Sequence, residues 1–201
     1  MAKRKATVIR KTAETSVRVE LVIEGKGKSQ VKTGIGMLDH LVAQLAKHGL
    51  IDIKLKATGD LHVDQHHTLE DVAISLGRAF SEALGERLSI VRMGHAVVPM
   101  DETLALVAVD IGGRGYAVVE IPFVEKNIGE LSTDLVRHFL ESFALEARLN
   151  LHARILAGVN DHHKIEAVFK ALGRALQSAV RIDERIPGEV PSTKGTIEGA
   201  G

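Results

Sequence analysis

The chain has 201 residues, enough for one large domain or two small ones. It is 45% apolar, and 26 basic side chains balance 26 acidic ones, which speaks against nucleic acid or an anionic membrane as partner and suits a protein that self-associates. It has no cysteine, hence no disulfide and no thiolate metal site, and with aromatics at 3% its core is expected to be aliphatic.

The opening MAKRKATVIRK lacks the apolar stretch of a signal peptide, and no later run approaches the length of a membrane span. A cytoplasmic location is expected. Val17, Val19, Leu21 and Ile23 alternate with mostly polar neighbours and predict a strand with one buried face. Leu38, Leu41, Val42 and Leu45 recur at helical spacing and predict a helix over 37–47. Ile51, Ile53 and Leu55 alternate again, ending at Gly59. A long amphipathic helix is predicted over 68–87.

The second half repeats this order. Strands are predicted over 95–100, 103–111 and 116–121, a helix over 133–148, a strand over 150–156 and a helix over 162–180. Each half thus reads strands, helix, strand, helix. The match reaches individual residues. His66-His67-Thr68-Leu69-Glu70 returns as His162-His163-Lys164-Ile165-Glu166 at an offset of 96, and Val72, Leu76, Gly77, Arg78 and Ala79 return as Val168, Leu172, Gly173, Arg174 and Ala175. His40 and His138 occupy the first helix of each half at an offset of 98. The expected fold is therefore layered α/β, an internally duplicated unit packed about a pseudo-twofold axis. The expected division is 1–88 and 89–185, followed by a tail over 186–201, all in one body.

A single HHxxE suits a solvated helix start, but two copies at a fixed offset supply metal ligands. His66 and Glu70 are four apart and share a helix face, so they can chelate one ion. His67 is rotated about 100° from His66 and points elsewhere, toward a second metal or a neighbouring subunit. The same holds for His162, Glu166 and His163. Duplication symmetry suggests one ion on His66, Glu70, His138 and His163, and a second on His162, Glu166, His40 and His67. Each set leaves positions open in an octahedral shell, as a catalytic site requires. Nitrogen and oxygen donors are compatible with zinc, iron, manganese or nickel.

Other charged groups are less specific. Glu14 precedes a strand. Arg92 and Arg114 sit beside glycines at strand ends, where guanidinium forks can take a phosphate. Residues 191–195, PSTKG, can wrap a phosphate with hydroxyls, Lys194 and backbone N–H groups.

GIGMLDHL (34–41), LHVDQHHTLEDV (61–72), DHHKIEAVFKALGRAL (161–176) and VPSTKG (190–195) resemble the motifs of the imidazoleglycerol-phosphate dehydratases, enzymes of histidine biosynthesis. The resemblance spans about residues 5–197 and is to the monofunctional form, with no fused phosphatase. It implies a lyase with two manganese(II) ions per active site, held by His40, His66, His67, Glu70, His138, His162, His163 and Glu166. It implies a homo-oligomer of 24 subunits built from trimers, with active sites between subunits. Substrate contacts are implied at Glu14, at His40 and His48, at the ligands His66, Glu70 and His162, and at Arg92, Arg114, Lys170, Ser192, Thr193 and Lys194. The implied reaction turns D-erythro-imidazole glycerol phosphate into imidazole acetol phosphate. Two metals flanking the imidazole would lower its N–H pKa, so that the imidazolate expels the side-chain hydroxyl. A positioned acid/base then takes the carbon-bound proton. Glu14 is expected in that role, with His48 as a second candidate. A different dinuclear metalloenzyme, such as a hydrolase, and a non-catalytic metal-dependent cage are the competing readings.

Overall fold

The computed structural model describes residues 3–197. The first half contains β1 (Lys5–Lys11), β2 (Thr15–Val22), β3 (Ser29–Lys32), α1 (Gly36–Gly49), β4 (Asp52–Gly59) and α2 (His66–Leu84). The second contains β5 (Met93–Met100), β6 (Thr103–Asp110), β7 (Tyr116–Glu120), β8 (Asn127–Ile128), β9 (Leu131–Ser132), α3 (Thr133–Ala147), β10 (Asn150–Ala157) and α4 (Asp161–Ala179). The two four-stranded sheets have the same order, β1-β2-β4-β3 and β5-β6-β10-β7. In each, three strands are antiparallel and the last is joined to its parallel neighbour by a helical crossover. The fold is a duplicated, layered α/β unit.

Burial follows from the alternation along the strands. In β2, Thr15, Val17, Val19 and Leu21 point inward, and Arg18 points to solvent. The inward faces meet the helices: α2 packs on β1 and β2, and α4 on β5 and β6. The helices then pack across the halves, α1 on α4 and α2 on α3. Most of the core is aliphatic, but the few phenylalanines gather in the helix layer. Phe80 of α2 meets Phe143 of α3 with ring centroids 6.1 Å apart, and Phe139 of α3 meets Phe169 of α4 at 5.5 Å. Such pairs add about 0.5–1.5 kcal/mol each beyond the area they bury.

The repeated Leu-Gly-Arg-Ala has its reason in these crossings. A Cβ on Gly173 would stand 2.8 Å from both the Gly49 nitrogen and the Leu45 carbonyl oxygen of α1. A Cβ on Gly77 would stand 2.7 Å from the Phe143 carbonyl oxygen of α3. Only glycine lets the two backbones come this close.

Four short strands are absent from the sequence reading, each for a physical reason. β1 and β3 are sheet edges, with Val8 and Val31 as their main inward residues among charged and polar neighbours. β8 and β9 are two residues each. They occupy an insertion: Thr15 and Thr103, at the starts of β2 and β6, are offset by 88, whereas His40 and His138 are offset by 98. The hairpin reaches back to the first half, where Glu130 Oε1 accepts the Met37 N–H at 3.0 Å and so satisfies an open donor of the first turn of α1. Helix α2 starts at His66, two residues before its predicted start, and the Asp64 carboxylate accepts the open His66 N–H of its first turn at 2.8 Å.

A buried ion pair fixes the start of α4. Lys164 Nζ lies 2.7 Å from Asp161 Oδ1 and donates to the Pro122 carbonyl, while Asp161 Oδ2 accepts the Val124 and Glu125 N–H groups.

Substituting Gly173→Ala should destabilise the protein by about 1–3 kcal/mol, since overpacking against backbone outweighs the better helix propensity of alanine. A urea titration checks this, and a gain in stability would contradict the close crossing.

Candidate metal centre

Among the described residues, three groups of possible metal ligands form, and two of them span both halves. In the first, His66 and Glu70 of α2 meet His138 of α3. His138 Nε2 lies 3.1 Å from Glu70 Oε1, and the His66 and His138 rings stack with centroids 4.7 Å apart. In the second, His162 and Glu166 of α4 meet His40 of α1. His40 Nε2 and His162 Nε2 lie 2.8 and 3.1 Å from the same oxygen, Glu166 Oε2. Within each cluster the possible ligand atoms lie within 4.8 Å of one another. The helix crossings supply this convergence. His40 lies beside Glu166 and Gly49 beside Gly173, so α1 and α4 run in the same direction and bring their N-terminal turns together.

The adjacent histidines diverge as the helix rotation requires. The rings of His66 and His67 are nearly perpendicular, at 86°, and those of His162 and His163 at 89°. Among the described residues His163 joins no cluster, and His67 joins a third group, with Asp60 and Glu14, rather than either of these two. His67 Nδ1 lies 3.0 Å from Asp60 Oδ2 and 3.6 Å from Glu14 Oε2. His163 Nδ1 lies 2.7 Å from Glu102 Oε2. Each cluster thus holds three of the four ligands suggested by the duplication, and the fourth faces another carboxylate.

Electrostatics distinguish the groups. Burial works to raise the Glu166 pKa, but hydrogen bonds from Lys170, His40 and His162 outweigh it and hold the carboxyl down at about 2. Lys170 Nζ sits 2.7 Å from Glu166 Oε1, so this implied substrate residue is part of the second cluster. Hydrogen bonds donated to the facing carboxylates, Asp60 and Glu102, push His67 and His163 upward. Burial, then the nearby charges of Lys170 and Arg174, pushes His48 below the ordinary imidazole value, which keeps it neutral near pH 7.

The expected phosphate residues form a separate group. Arg92 clamps Asp110 with Nε at 2.7 Å and Nη2 at 3.0 Å, and its Nη1 donates to the Pro191 carbonyl. That bond carries the tail to the guanidinium. There Ser192 Oγ accepts the Lys194 N–H and the Ser192 carbonyl accepts the Gly195 N–H, forming a tight turn. Thr193 lies exposed in that turn, and Arg114 is exposed in the loop after β6. These hydrogen bonds do not join the group to either histidine cluster. Residues 198–201 of the expected tail lie outside the described residues. Asp60, Glu102 and Asp110 take direct parts in the site without having been singled out from the sequence. Single carboxylates carry no motif, although Glu102 could have been found from its place relative to Glu14 in the repeat.

The family model described as "Imidazoleglycerol-phosphate dehydratase" matches residues 33–176. The chain belongs to the imidazoleglycerol-phosphate dehydratase family. It is therefore an enzyme, a hydro-lyase of histidine biosynthesis. Among its relatives, the Chloroflexus aurantiacus dehydratase is 58% identical over 194 residues, covering 96% of this chain and 95% of that one. The Dehalococcoides mccartyi dehydratase is 57% identical, covering 98% and 100%. The crystal structure of the Pyrococcus furiosus dehydratase superposes with a TM-score of 0.81 at 37% identity, covering 94% and 99% of the two chains. That of the Staphylococcus aureus dehydratase also gives 0.81, at 32% identity, covering 89% and 99%. The family's fold and this chain's duplicated fold thus agree over nearly their whole lengths.

A pH prediction follows for the metal-free protein. Glu166 is depressed on folding, so the stability it adds is fully present above its ordinary value of 4.5 and is lost as the pH falls toward 2. Glu166→Gln should flatten that part of the curve of unfolding free energy against pH, measured by urea denaturation in chelator. An unchanged slope would contradict the assignment.

Proposed function

We propose that the chain dehydrates D-erythro-imidazole glycerol phosphate to imidazole acetol phosphate with two manganese(II) ions per active site. The observation that carries the metal assignment is the pair of clusters at the N-terminal ends of paired helices, each with two imidazoles and one carboxylate. Imidazole and carboxylate donors without sulfur suit manganese. His40, His162 and Glu166 would hold one ion and His66, Glu70 and His138 the other. His67 would complete the Glu166 site and His163 the Glu70 site of a neighbouring copy, since their Nδ1 atoms are taken up within the chain. That sharing supports an assembly of 24 subunits built from trimers, working in the cytoplasm. When bound, the ions would supply Lewis acidity to the nitrogens of the substrate ring.

The chain's own groups account for the remaining steps. Glu14 projects from the β1–β2 turn with its side chain 54% exposed, beside His67. Its carboxylate is free to take the carbon-bound proton of the substrate. His48, kept neutral, is the second group able to move a proton. Arg92 is held by Asp110 and Pro191, and with Arg114, Ser192 and Lys194 it would hold the phosphate and thereby orient the ring, with Lys170 and Thr193 as further substrate contacts. The proposed division of labour gives 1–88 and 89–185 to the two ligand-bearing repeats and 186–201 to substrate binding.

Two measurements test this. Glu14→Gln should lower turnover about 10²–10⁴-fold, the usual contribution of a general acid/base, with manganese content unchanged. Near-normal turnover would remove Glu14 from the role. The purified protein should also carry two manganese ions per chain and fall from a shell to trimers on chelation. A hydrolase or an inert cage would give no enolised product in a spectrophotometric assay.

A further inference from the structure

The two repeats treat their second histidine differently. Glu14 immediately precedes Thr15 and Glu102 immediately precedes Thr103, and these threonines open β2 and β6. Glu102 is therefore the pseudo-twofold mate of Glu14. The mates do not make the same contacts. Glu14 Oε2 stays 3.6 Å from His67 Nδ1, because Asp60, directly after β4, already occupies that nitrogen at 3.0 Å. β10 carries a bulge, so Gly158 stands against Thr103 as Gly59 stands against Thr15, and the repeat position of Asp60 falls to Val159. Val159 has no carboxylate to offer. Glu102 fills the vacant role: its Oε2 takes His163 Nδ1 at 2.7 Å, and its Oε1 accepts the Asn160 and Val159 N–H groups at 2.9 and 3.2 Å.

We propose that Glu102 is the positioning residue of His163, as Asp60 is of His67, and that the Asp60-to-Val159 difference leaves Glu14 at 3.6 Å from its ring while committing its mate. A carboxylate can only accept, so in the neutral ring the hydrogen sits on Nδ1 and the lone pair on Nε2. Asp60 and Glu102 thus fix both the tautomer of the neutral ring and the direction of the two imidazoles that the two cross-half clusters leave out. They prepare Nε2 of each ring for an ion bound elsewhere. Glu102 is further held by the turn ahead of α4, so His163 is tied to the same backbone that carries His162 and Glu166. The asymmetry also accounts for a single free acid/base in a duplicated site. Glu102 has the repeat position of Glu14 but has its oxygens engaged.

This inference rests on the reading that the histidines hold metal, and the experiment separates the two. Glu102→Gln can keep its oxygen on the Val159 and Asn160 N–H groups, which turns its NH₂ toward His163 Nδ1. The ring hydrogen then moves to Nε2, and the lone pair needed for the ion is lost. Manganese titrations followed by electron paramagnetic resonance should show one of two sites per chain weakened about 10–100-fold, the usual cost of losing such a partner. Nitrogen NMR of the metal-free variant should show His163 protonated on Nε2, a change that a merely structural role would not produce. Asp60→Ala should weaken the other site, and Glu14→Gln should weaken neither. The inference is overturned if Glu102→Gln and Asp60→Ala bind both ions as tightly as the unaltered protein. If the unaltered protein takes up no manganese, the metal reading itself fails, and the inference with it.

Discussion

The close approach of helices from opposite halves is the constraint on which the site depends. Gly173 lets α4 lie against the backbone of α1, and Gly77 does the same for α2 against α3. Because the paired helices run in the same direction, their N-terminal turns coincide, and a histidine from one half reaches a glutamate of the other. Neither repeat alone contains a complete cluster. Phe80 with Phe143 locks the α2–α3 crossing, and Phe139 with Phe169 ties α3 to α4, so the hydrophobic packing that stabilises the fold also sets the spacing of the clusters.

Duplication explains both the likeness and the asymmetry of the clusters. The His-His-x-x-Glu units sit at equivalent helix starts and place equivalent atoms together. Yet Glu166 is fully engaged by Lys170, His40 and His162, whereas Glu70 pairs with His138 alone. The carboxylates facing His67 and His163 come from different points of the repeat. The pair of sites is thus related by ancestry in shape but differs in the charge around it, which suits the binding of an asymmetric substrate with a ring at one end and a phosphate at the other.

Much of this was legible in the chain. The period-two runs marked the central strands, the helical spacing marked the four helices, and the offset of 96 exposed the duplication and the histidine–glutamate pair that each cluster contains. The edge strands β1 and β3 were not legible, because a sheet edge needs few apolar residues and tolerates many charged ones. The β8–β9 hairpin is too short to show a period. At the site, the divergence of the two histidines in each doublet followed from helix rotation. The contacts of Arg92 with Asp110, of His163 with Glu102 and of His67 with Asp60 did not, since they join strand ends and loops at separations of 18, 61 and 7 residues that carry no pattern.

In the proposed arrangement each ion takes three ligands from one chain, across its two repeats, and a fourth from another copy. Crystals of a His67→Ala variant grown with manganese, measured at the metal absorption edge, test it most directly. The account predicts that anomalous density disappears beside Glu166 and persists beside Glu70. Loss of the ion beside Glu70, with the ion beside Glu166 retained, would contradict it.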